Sequence, residues 1–135
     1  DVPLSTSGMA EINIPAVHSG SYYITVRHRN SIATTTALPV SFAGTSISYS
    51  YSAPLAIYGG NLKVSSDNYY MIFGGDVNQD GIVDTGDMNW VDNGSASILR
   101  GYNAADATGD GIVDTSDMNL VDNNSAAIVR VRRPD

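Results

Sequence analysis

The C-terminal part of the chain contains an internal duplication. Residues 76–100 have the sequence DVNQDGIVDTGDMNWVDNGSASILR, and residues 106–130 have the sequence DATGDGIVDTSDMNLVDNNSAAIVR. Most paired positions are identical, so the two segments are expected to form the same structural unit twice. Any fold for this chain must therefore accommodate two similar units joined by a connector of five residues, GYNAA.

Each repeat begins with a twelve-residue pattern in which oxygen-bearing side chains occupy positions 1, 3, 5, 9 and 12. Gly81 and Gly111 stand at position 6, where a sharp turn favours a residue without a Cβ. The main-chain carbonyls of Ile82 and Ile112, at position 7, are candidate backbone ligands. The candidate side-chain ligands are Asp76, Asn78, Asp80, Asp84 and Asp87 in the first repeat, and Asp106, Thr108, Asp110, Asp114 and Asp117 in the second.

The chemistry of these donors indicates which metal the loops would hold. Each loop offers about six or seven oxygens and no histidine or thiolate, which suits Ca²⁺ better than Zn²⁺ or copper. Mg²⁺ is the weaker candidate because it prefers a rigid octahedron and retains several waters. The sequence therefore predicts two calcium ions, one for each loop. We expect the second loop to bind more weakly, because Thr108 offers a hydroxyl where Asn78 offers an amide carbonyl.

Position 12 and the preceding segment distinguish between two families of calcium loop. An EF-hand carries Glu at position 12 and a helix on both sides of the loop. Here position 12 is Asp in both repeats, and Tyr69–Gly75 has the pattern of a strand followed by glycine. A duplicated loop followed by a single helix resembles the type I dockerin, and the resemblance covers roughly residues 76–130, about two-fifths of the chain.

The dockerin resemblance implies a function as well as a fold. Dockerins are non-catalytic modules of secreted bacterial proteins, including those of polysaccharide degradation, that fold around two Ca²⁺ ions and dock into a cohesin domain. The resemblance assigns partner contacts to positions 10 and 11 of each loop and to a later pair of residues along the helix. That pair is commonly basic in the family and is not basic here. These residues are Thr85, Gly86, Asp92 and Asn93 in the first repeat, and Thr115, Ser116, Asp122 and Asn123 in the second.

The pattern of the repeats also predicts their helices and packing. Asp84 or Thr85 is a candidate helix cap, and the polar run after Val91 predicts a break in each helix, with a short second turn at 95–100 and 125–130. The two repeats are expected to pair with approximate two-fold symmetry through a short strand contact between Val83 and Val113. The facing apolar residues would be Met88, Val91 and Ile98 against Met118, Val121 and Ile128, with Trp90 partly buried between the helices.

Residues 1–75 show the alternation of apolar and polar side chains that is typical of half-buried strands. Examples are Ala10–Ile14, Tyr22–Val26 and Ile47–Tyr51, separated by Gly-, Ser- and Asn-rich turns. About six or seven short strands predict an antiparallel, immunoglobulin-like β-sandwich. The predicted organisation is therefore an all-β domain over residues 1–75 and a small α-helical, dockerin-like domain over residues 76–135.

The charge distribution excludes several functions. Residues 76–135 carry eleven Asp against four Arg, whereas residues 1–75 are balanced, so the whole net charge of −7 lies in the repeats. Such acidity repels phosphate backbones and makes nucleic acid a poor partner. With no cysteine, no long apolar run and no recognisable catalytic set, we predict neither a disulfide scaffold, a membrane span nor an enzyme. Arg27 and Arg29 are candidates to face the acidic repeats.

Three functional hypotheses follow. The first is a calcium-dependent, dockerin-like module that anchors an extracellular bacterial protein through a cohesin-type or other protein partner. The second is a calcium-rigidified spacer or cap without a partner. The third is a glycan-binding β-sandwich, using Tyr22, Tyr23, Tyr49 or Tyr51, with the repeats as an appendage. The N-terminus has no signal-peptide pattern, so we expect a piece of a longer protein that acts outside the cell or at its surface.

Overall fold

The computed structural model describes residues 1–134, which contain six short β-strands followed by two α-helices. Neither helix is long and apolar enough to cross a membrane. Two single turns of 3₁₀-helix, Pro54–Ala56 and Tyr58–Gly60, lie between the fourth and fifth strands. The strands are β1 (Ser21–Tyr22), β2 (Thr25–His28), β3 (Ser31–Thr35), β4 (Val40–Ser41), β5 (Lys63–Val64) and β6 (Tyr70–Met71), and the helices are α1 (Thr85–Ala96) and α2 (Thr115–Ala126).

The N-terminal segment is not a β-sandwich. Its strands form three separate antiparallel pairs, β1 with β4, β2 with β3, and β5 with β6. A sandwich needs two larger sheets packed face to face. The prediction of an immunoglobulin-like, all-β domain is therefore wrong, and the fold is a small mixed one of two-stranded sheets and two helices.

The physical reason for this error is that alternation occurs here without burial. Ala10–Ile14 and Ile47–Tyr51 form no strand, and the side chain of Ile12 is 62% exposed. A sheet face is stabilised by the apolar side chains that it buries, and this segment buries too few of them to fill the space between two sheets. The buried hydrophobic residues before position 76 are Ile32, Ile57 and Leu62.

The hairpin of β2 and β3 attaches the N-terminal segment to the repeats. Val26 lies opposite Thr34, and the register shifts between Val26 and His28. Ile32, on β3, is 1% exposed and belongs to the same apolar cluster as the valines of the repeats. Its amide donates to the carbonyl of Phe73 at 2.9 Å. The segments on either side of position 75 thus share one core.

The two repeats pack around a small valine-rich core. Val91 of α1 and Val121 of α2 are completely buried, and Met88 and Met118 pack at the edge of the same cluster. This arrangement agrees with the expected pairing of α1 and α2. The predicted burial of Ile98 is wrong, since its side chain is 67% exposed. The other members of the cluster are Val77, Val83, Ala105, Val113 and Val129.

Each loop pairs with the segment that follows the helix of the other repeat. Val83 donates its amide to the carbonyl of Val129 at 2.9 Å, and Val113 donates to the carbonyl of Leu99 at 3.0 Å. Val131 in the same way donates to the carbonyl of Gly81 at 2.8 Å. Val83 and Val113 are both buried, but the predicted strand contact between them is wrong. Instead, the backbone of each loop pairs with the chain that follows the helix of the other repeat.

Both helices continue through the polar run at which a break was predicted. α1 extends to Ala96, and Asn93 donates its side-chain amide to the carbonyl of Asn89 at 2.7 Å, within the helix. Gly94 does not end the helix. A Cβ at that position would lie 3.0 Å from Val113 Cγ1 and 3.2 Å from Ala105 Cβ. The glycine is needed for close packing, which sequence alone did not distinguish from a helix stop.

The helices end in a Schellman motif that places isoleucine where glycine is usual. In α1, Ile98 donates its amide to the carbonyl of Ser95 at 2.9 Å, and Leu99 donates to Gly94 at 3.0 Å. Ile98 has φ of 52° and Ile128 has φ of 54°. Side chains with a Cβ are strained in this left-handed region, and β-branched ones most of all. Ile128 is 72% exposed, so burial does not offset the strain.

We expect Ile128→Gly to stabilise the protein by about 1 kcal/mol, because glycine adopts the left-handed conformation without a steric penalty. Urea unfolding of the full chain, followed by circular dichroism, measures the change. Ile128→Ala is the matched control and should gain much less, since it keeps the Cβ. A glycine variant less stable than wild type would contradict the expectation.

Candidate metal centre

The two predicted loops have the same backbone conformation. Gly81 and Gly111, at position 6, have φ of 93° and 89°, which confirms that the turn there uses the freedom of glycine. Position 4 is also left-handed in both loops, with φ of 62° at Gln79 and 82° at Gly109. Nothing in the sequence indicates the left-handed turn at position 4 of the first loop, where the residue is Gln79 and not glycine.

The aspartates at position 12 tie the start of each loop to its helix. Asp87 is completely buried, and its Oδ1 accepts the amides of Val77 at 2.7 Å and Asn78 at 3.0 Å. Its Oδ2 accepts the amide of Asp84 at 3.0 Å. Asp117 is equally buried and makes the corresponding bonds to Thr108 and Asp114. Backbone donors therefore compensate the burial of these two charges.

The aspartates at position 9 begin the helices. Asp84 Oδ1 accepts the amide of Gly86 at 2.7 Å, and Asp114 Oδ1 accepts the amide of Ser116 at 2.7 Å. Together with the position 12 side chain, each forms a reciprocal capping box. Of the two predicted caps for α1, Asp84 is the one that acts. The same residue is thus a helix cap and a candidate ligand.

The residues at positions 3 and 5 support the curl of the loop. Asn78 Oδ1 accepts the amide of Asp80 at 2.9 Å, and its side-chain amide donates to Asp80 Oδ2 at 2.9 Å. Asp80 and Asp110 each accept the amide of the isoleucine at position 7. Thr108, at position 3 of the second loop, is exposed. The two loops therefore differ at position 3, where Asn78 is hydrogen-bonded within its loop and Thr108 is exposed.

The position 1 aspartates lie buried within the loops, with 2% exposure for both Asp76 and Asp106. Burial raises the pKa of the Asp76 carboxyl to about 6. The Gly81 amide opposes that rise in pKa, and the charges of Asp87 and Asp80 add to it. The carboxylate of Asp76 is therefore close to other carboxylates and short of compensating positive charge.

The acidic side chains do not form a compact metal cluster. Within residues 1–134, no three His, Cys, Asp or Glu side chains come together as a group that could hold a metal ion. The loop carboxylates are directed instead at backbone amides. The donor set nevertheless fits a hard cation, because every side-chain donor is an oxygen and the Asp76 carboxylate lacks a counter-charge. The residues that would hold the ions are Asp76, Asn78, Asp80, Ile82, Asp84 and Asp87 in the first loop, and Asp106, Thr108, Asp110, Ile112, Asp114 and Asp117 in the second.

The predicted partner contacts lie on the first and third turns of the two helices. Thr85, Asp92 and Asn93 of α1 are exposed, and Gly86 is half-buried. A Cβ at Gly86 would lie 3.0 Å from Asp84 Oδ1, and Ser116 carries a Cβ at the matching position of the second repeat. On α2 the corresponding residues Thr115, Ser116, Asp122 and Asn123 are all exposed.

Among the aromatic residues, Trp90 differs from its prediction. Trp90 is 58% exposed and lies on the surface, whereas partial burial between the helices was predicted. The hydroxyls of Tyr49 and Tyr51 donate to the carbonyls of Ala56 and Ile24, which gives both rings a structural role. Burial raises the pKa of Tyr51 to about 12.

One of the two arginines expected to face the acidic repeats does so. Arg29 forms an ion pair with Asp106, with 3.8 Å between Nη2 and Oδ2. Arg27 lies on the same hairpin and is exposed. The charge balance of the sequence indicated such a contact but did not select between the two arginines.

Comparison with known proteins adds no assignment to this geometry. No protein family, curated protein or solved structure matches the chain.

Proposed function

We propose that the chain is a non-catalytic, calcium-dependent interaction module, dockerin-like in its C-terminal part, that anchors an extracellular bacterial protein to a protein partner. In this proposal each loop holds one Ca²⁺ through the oxygens described above. The ions supply positive charge at the loop centres and crosslink position 1 to position 12. The metal-dependent structure then presents the exposed residues of α1 and α2 to the partner.

The observation that carries this proposal is the repetition of one loop-and-helix geometry at two places in the chain. Asp84 and Asp114 have the same dihedral angles, φ −148° and ψ −162°, and form the same capping box. The position 12 aspartates are completely buried in both repeats. Carboxylates buried at positions 1 and 12 of both loops are arranged as the ligands of a shared hard cation would be.

The surface of the helices supports a docking role. The two predicted contact regions occupy equivalent positions on α1 and α2 and consist of exposed or half-exposed polar residues. Trp90, Ile98 and Ile128 add large apolar side chains to the surface of the same two repeats, each more than half exposed. Exposed apolar residues among polar ones are typical of protein-binding surfaces.

A calcium-rigidified cap without a partner is the second candidate function. It is favoured by the contacts that join the repeats to the N-terminal segment. Asn124 donates to the carbonyl of Gly74 at 2.8 Å, and Asn61 donates to the carbonyl of Arg130 at 3.0 Å. A calcium-stiffened unit bound in this way would hold the preceding segment in a fixed position.

We expect Ca²⁺ to raise the midpoint of thermal unfolding of the full chain and excess chelator to reduce its helical circular dichroism. An ion at one hundred times its dissociation constant stabilises the folded state by about 2.7 kcal/mol for each site. The double variant Asp80→Asn, Asp110→Asn should lose most of this gain, whereas the matched variant Asp92→Asn, outside the loops, should keep it. Identical unfolding with Ca²⁺ and with chelator would contradict calcium binding.

We expect the second loop to bind Ca²⁺ about 5–30-fold more weakly than the first, a difference of roughly 1–2 kcal/mol. One reason is that the hydroxyl of Thr108 is a poorer and shorter ligand than the amide carbonyl of Asn78. Calorimetric titration of Thr108→Asn should show the weaker binding step strengthened, and Asn78→Thr should weaken the stronger one. An unchanged weak step in Thr108→Asn would refute the ligand explanation.

Docking is tested by binding to a panel of cohesin-type domains, with Ca²⁺ and with chelator. Since α1 and α2 present similar faces, Asp92→Lys or Asp122→Lys alone should change the affinity less than about threefold, and the double variant should abolish binding. Asp67→Lys, an exposed change outside the repeats, is the control. A calcium-loaded chain that binds none of these domains would favour the rigid cap over docking.

A further inference from the structure

Arg29 connects the N-terminal hairpin to the second loop. It lies in the turn between β2 and β3, and its Nε donates to the carbonyl of Asn103 at 3.0 Å. Its Nη2 donates to the carbonyl of Asp106 at 3.3 Å. The neighbouring Asn30 donates its side-chain amide to the same carbonyl at 2.6 Å. Three donors from one turn therefore hold the segment that enters the second loop.

The guanidinium of Arg29 also faces the first candidate ligand of that loop. Its Nη2 lies 3.8 Å from Asp106 Oδ2, and the two side chains are 19% and 3% exposed. The guanidinium carbon lies 4.1 Å from the centre of the Tyr102 ring, a cation–π contact that fixes its position. Water screens a charge so enclosed only weakly, and its field at Asp106 is correspondingly strong.

Among the residues that the structure describes, no cation forms an ion pair with the first ligand of the first loop. The carbonyl of Asp76 accepts the neutral side-chain amide of Gln79 at 2.6 Å, in place of a guanidinium. Arg29–Asp106 is the one ion pair formed within residues 1–134. The two loops have nearly the same sequence but different electrostatic surroundings.

The side-chain carboxylate of Asp106 also accepts more backbone hydrogen bonds than that of Asp76. Asp106 accepts the amides of Gly109, Asp110 and Gly111 at 2.8, 3.1 and 3.1 Å. The Asp76 carboxylate accepts the amide of Gly81 at a longer distance, 3.4 Å, and more weakly that of Gln79. The first carboxylate of the second loop is therefore held by three amides and lies beside one guanidinium, whereas the first carboxylate of the first loop has fewer and longer hydrogen bonds.

We propose that Arg29 is an internal counter-cation for the second loop, which holds that loop closed without metal and competes with Ca²⁺ for Asp106. This inference rests on the proposed calcium binding and adds a control on one of the two sites. A guanidinium beside a ligand carboxylate repels an incoming divalent ion and neutralises part of the charge that attracts it. The first loop, without a cation at that place, should bind calcium first.

The experiment follows the two loops separately in the full chain. The backbone amides of Gly81 and Gly111, at position 6 of each loop, are monitored by nuclear magnetic resonance during titration with CaCl₂. Arg29→Gln removes the charge, and Arg29→Lys keeps it. Tyr102→Leu removes the aromatic ring that contacts the guanidinium. Tyr102 is 84% exposed, so this change should leave the fold intact. Arg27→Gln, on the same hairpin, is the matched control.

We expect Arg29→Gln to lower about tenfold the calcium concentration at which the Gly111 amide reaches the midpoint of its titration. The midpoint for the Gly81 amide should not change. Tyr102→Leu should shift Gly111 in the same direction by less, and Arg29→Lys and Arg27→Gln should both stay near wild type. In chelator, Arg29→Gln should unfold at lower urea concentration. A purely structural arginine would reduce stability without strengthening calcium binding at Gly111.

An unchanged or higher midpoint at Gly111 in Arg29→Gln would overturn the competition. Equal shifts at Gly81 and Gly111 would also overturn it, because they would reflect net charge and not the contact with Asp106. If neither amide of the wild-type chain responds to Ca²⁺, the proposed calcium binding fails together with this inference. The first two results leave calcium binding intact, so the two failures are distinguishable.

Discussion

The buried carboxylate at the end of each loop is the interaction on which the repeats depend. Asp87 bonds the amides of Val77 and Asn78 at the entrance of its loop and that of Asp84 at the start of α1. One side chain thereby fixes where the loop begins and where the helix starts, and it places Val83, between them, in the core. A charge buried this deeply is tolerated only because its oxygens are satisfied by backbone donors. Asp117 plays the same part in the second repeat, where it bonds the amides of Thr108 and Asp114.

The parts of the structure that sequence predicted are those determined by local chemistry. An aspartate or threonine at the start of a helical pattern predicts a helix cap, and a glycine in a tight polar loop predicts a sharp turn. Both rules held at Asp84 and Gly81, and the duplication extended them to the second repeat. The assignment of calcium to these loops, and of a partner to the helices, stays a prediction from the donor set and from the resemblance to dockerins.

The parts that sequence mispredicted depend on contacts between distant residues. Gly94 has the pattern of a helix stop, but its role is set by Val113, whose Cγ1 would lie only 3.0 Å from a Cβ at this position. Alternation around Ile12 predicted a half-buried strand, yet no second layer exists to cover it, because few apolar side chains of this segment are buried. Ile98 was assigned to the core by helical spacing, whereas the turn after α1 directs it to solvent. In each case tertiary packing, which local pattern does not encode, decided the outcome.

The reciprocal pairing of loops and helix ends has a consequence for the order in which the chain closes. The second loop pairs with residues 99–101, which precede it, whereas the first pairs with residues 129–131, after α2. The contact of the first loop spans roughly three times as much chain, and its closure costs about 1 kcal/mol more in entropy. During synthesis the first loop must wait for its partner until α2 has been made, while the second has its partner from the start. The repeat that comes first in the sequence is therefore the last to be completed.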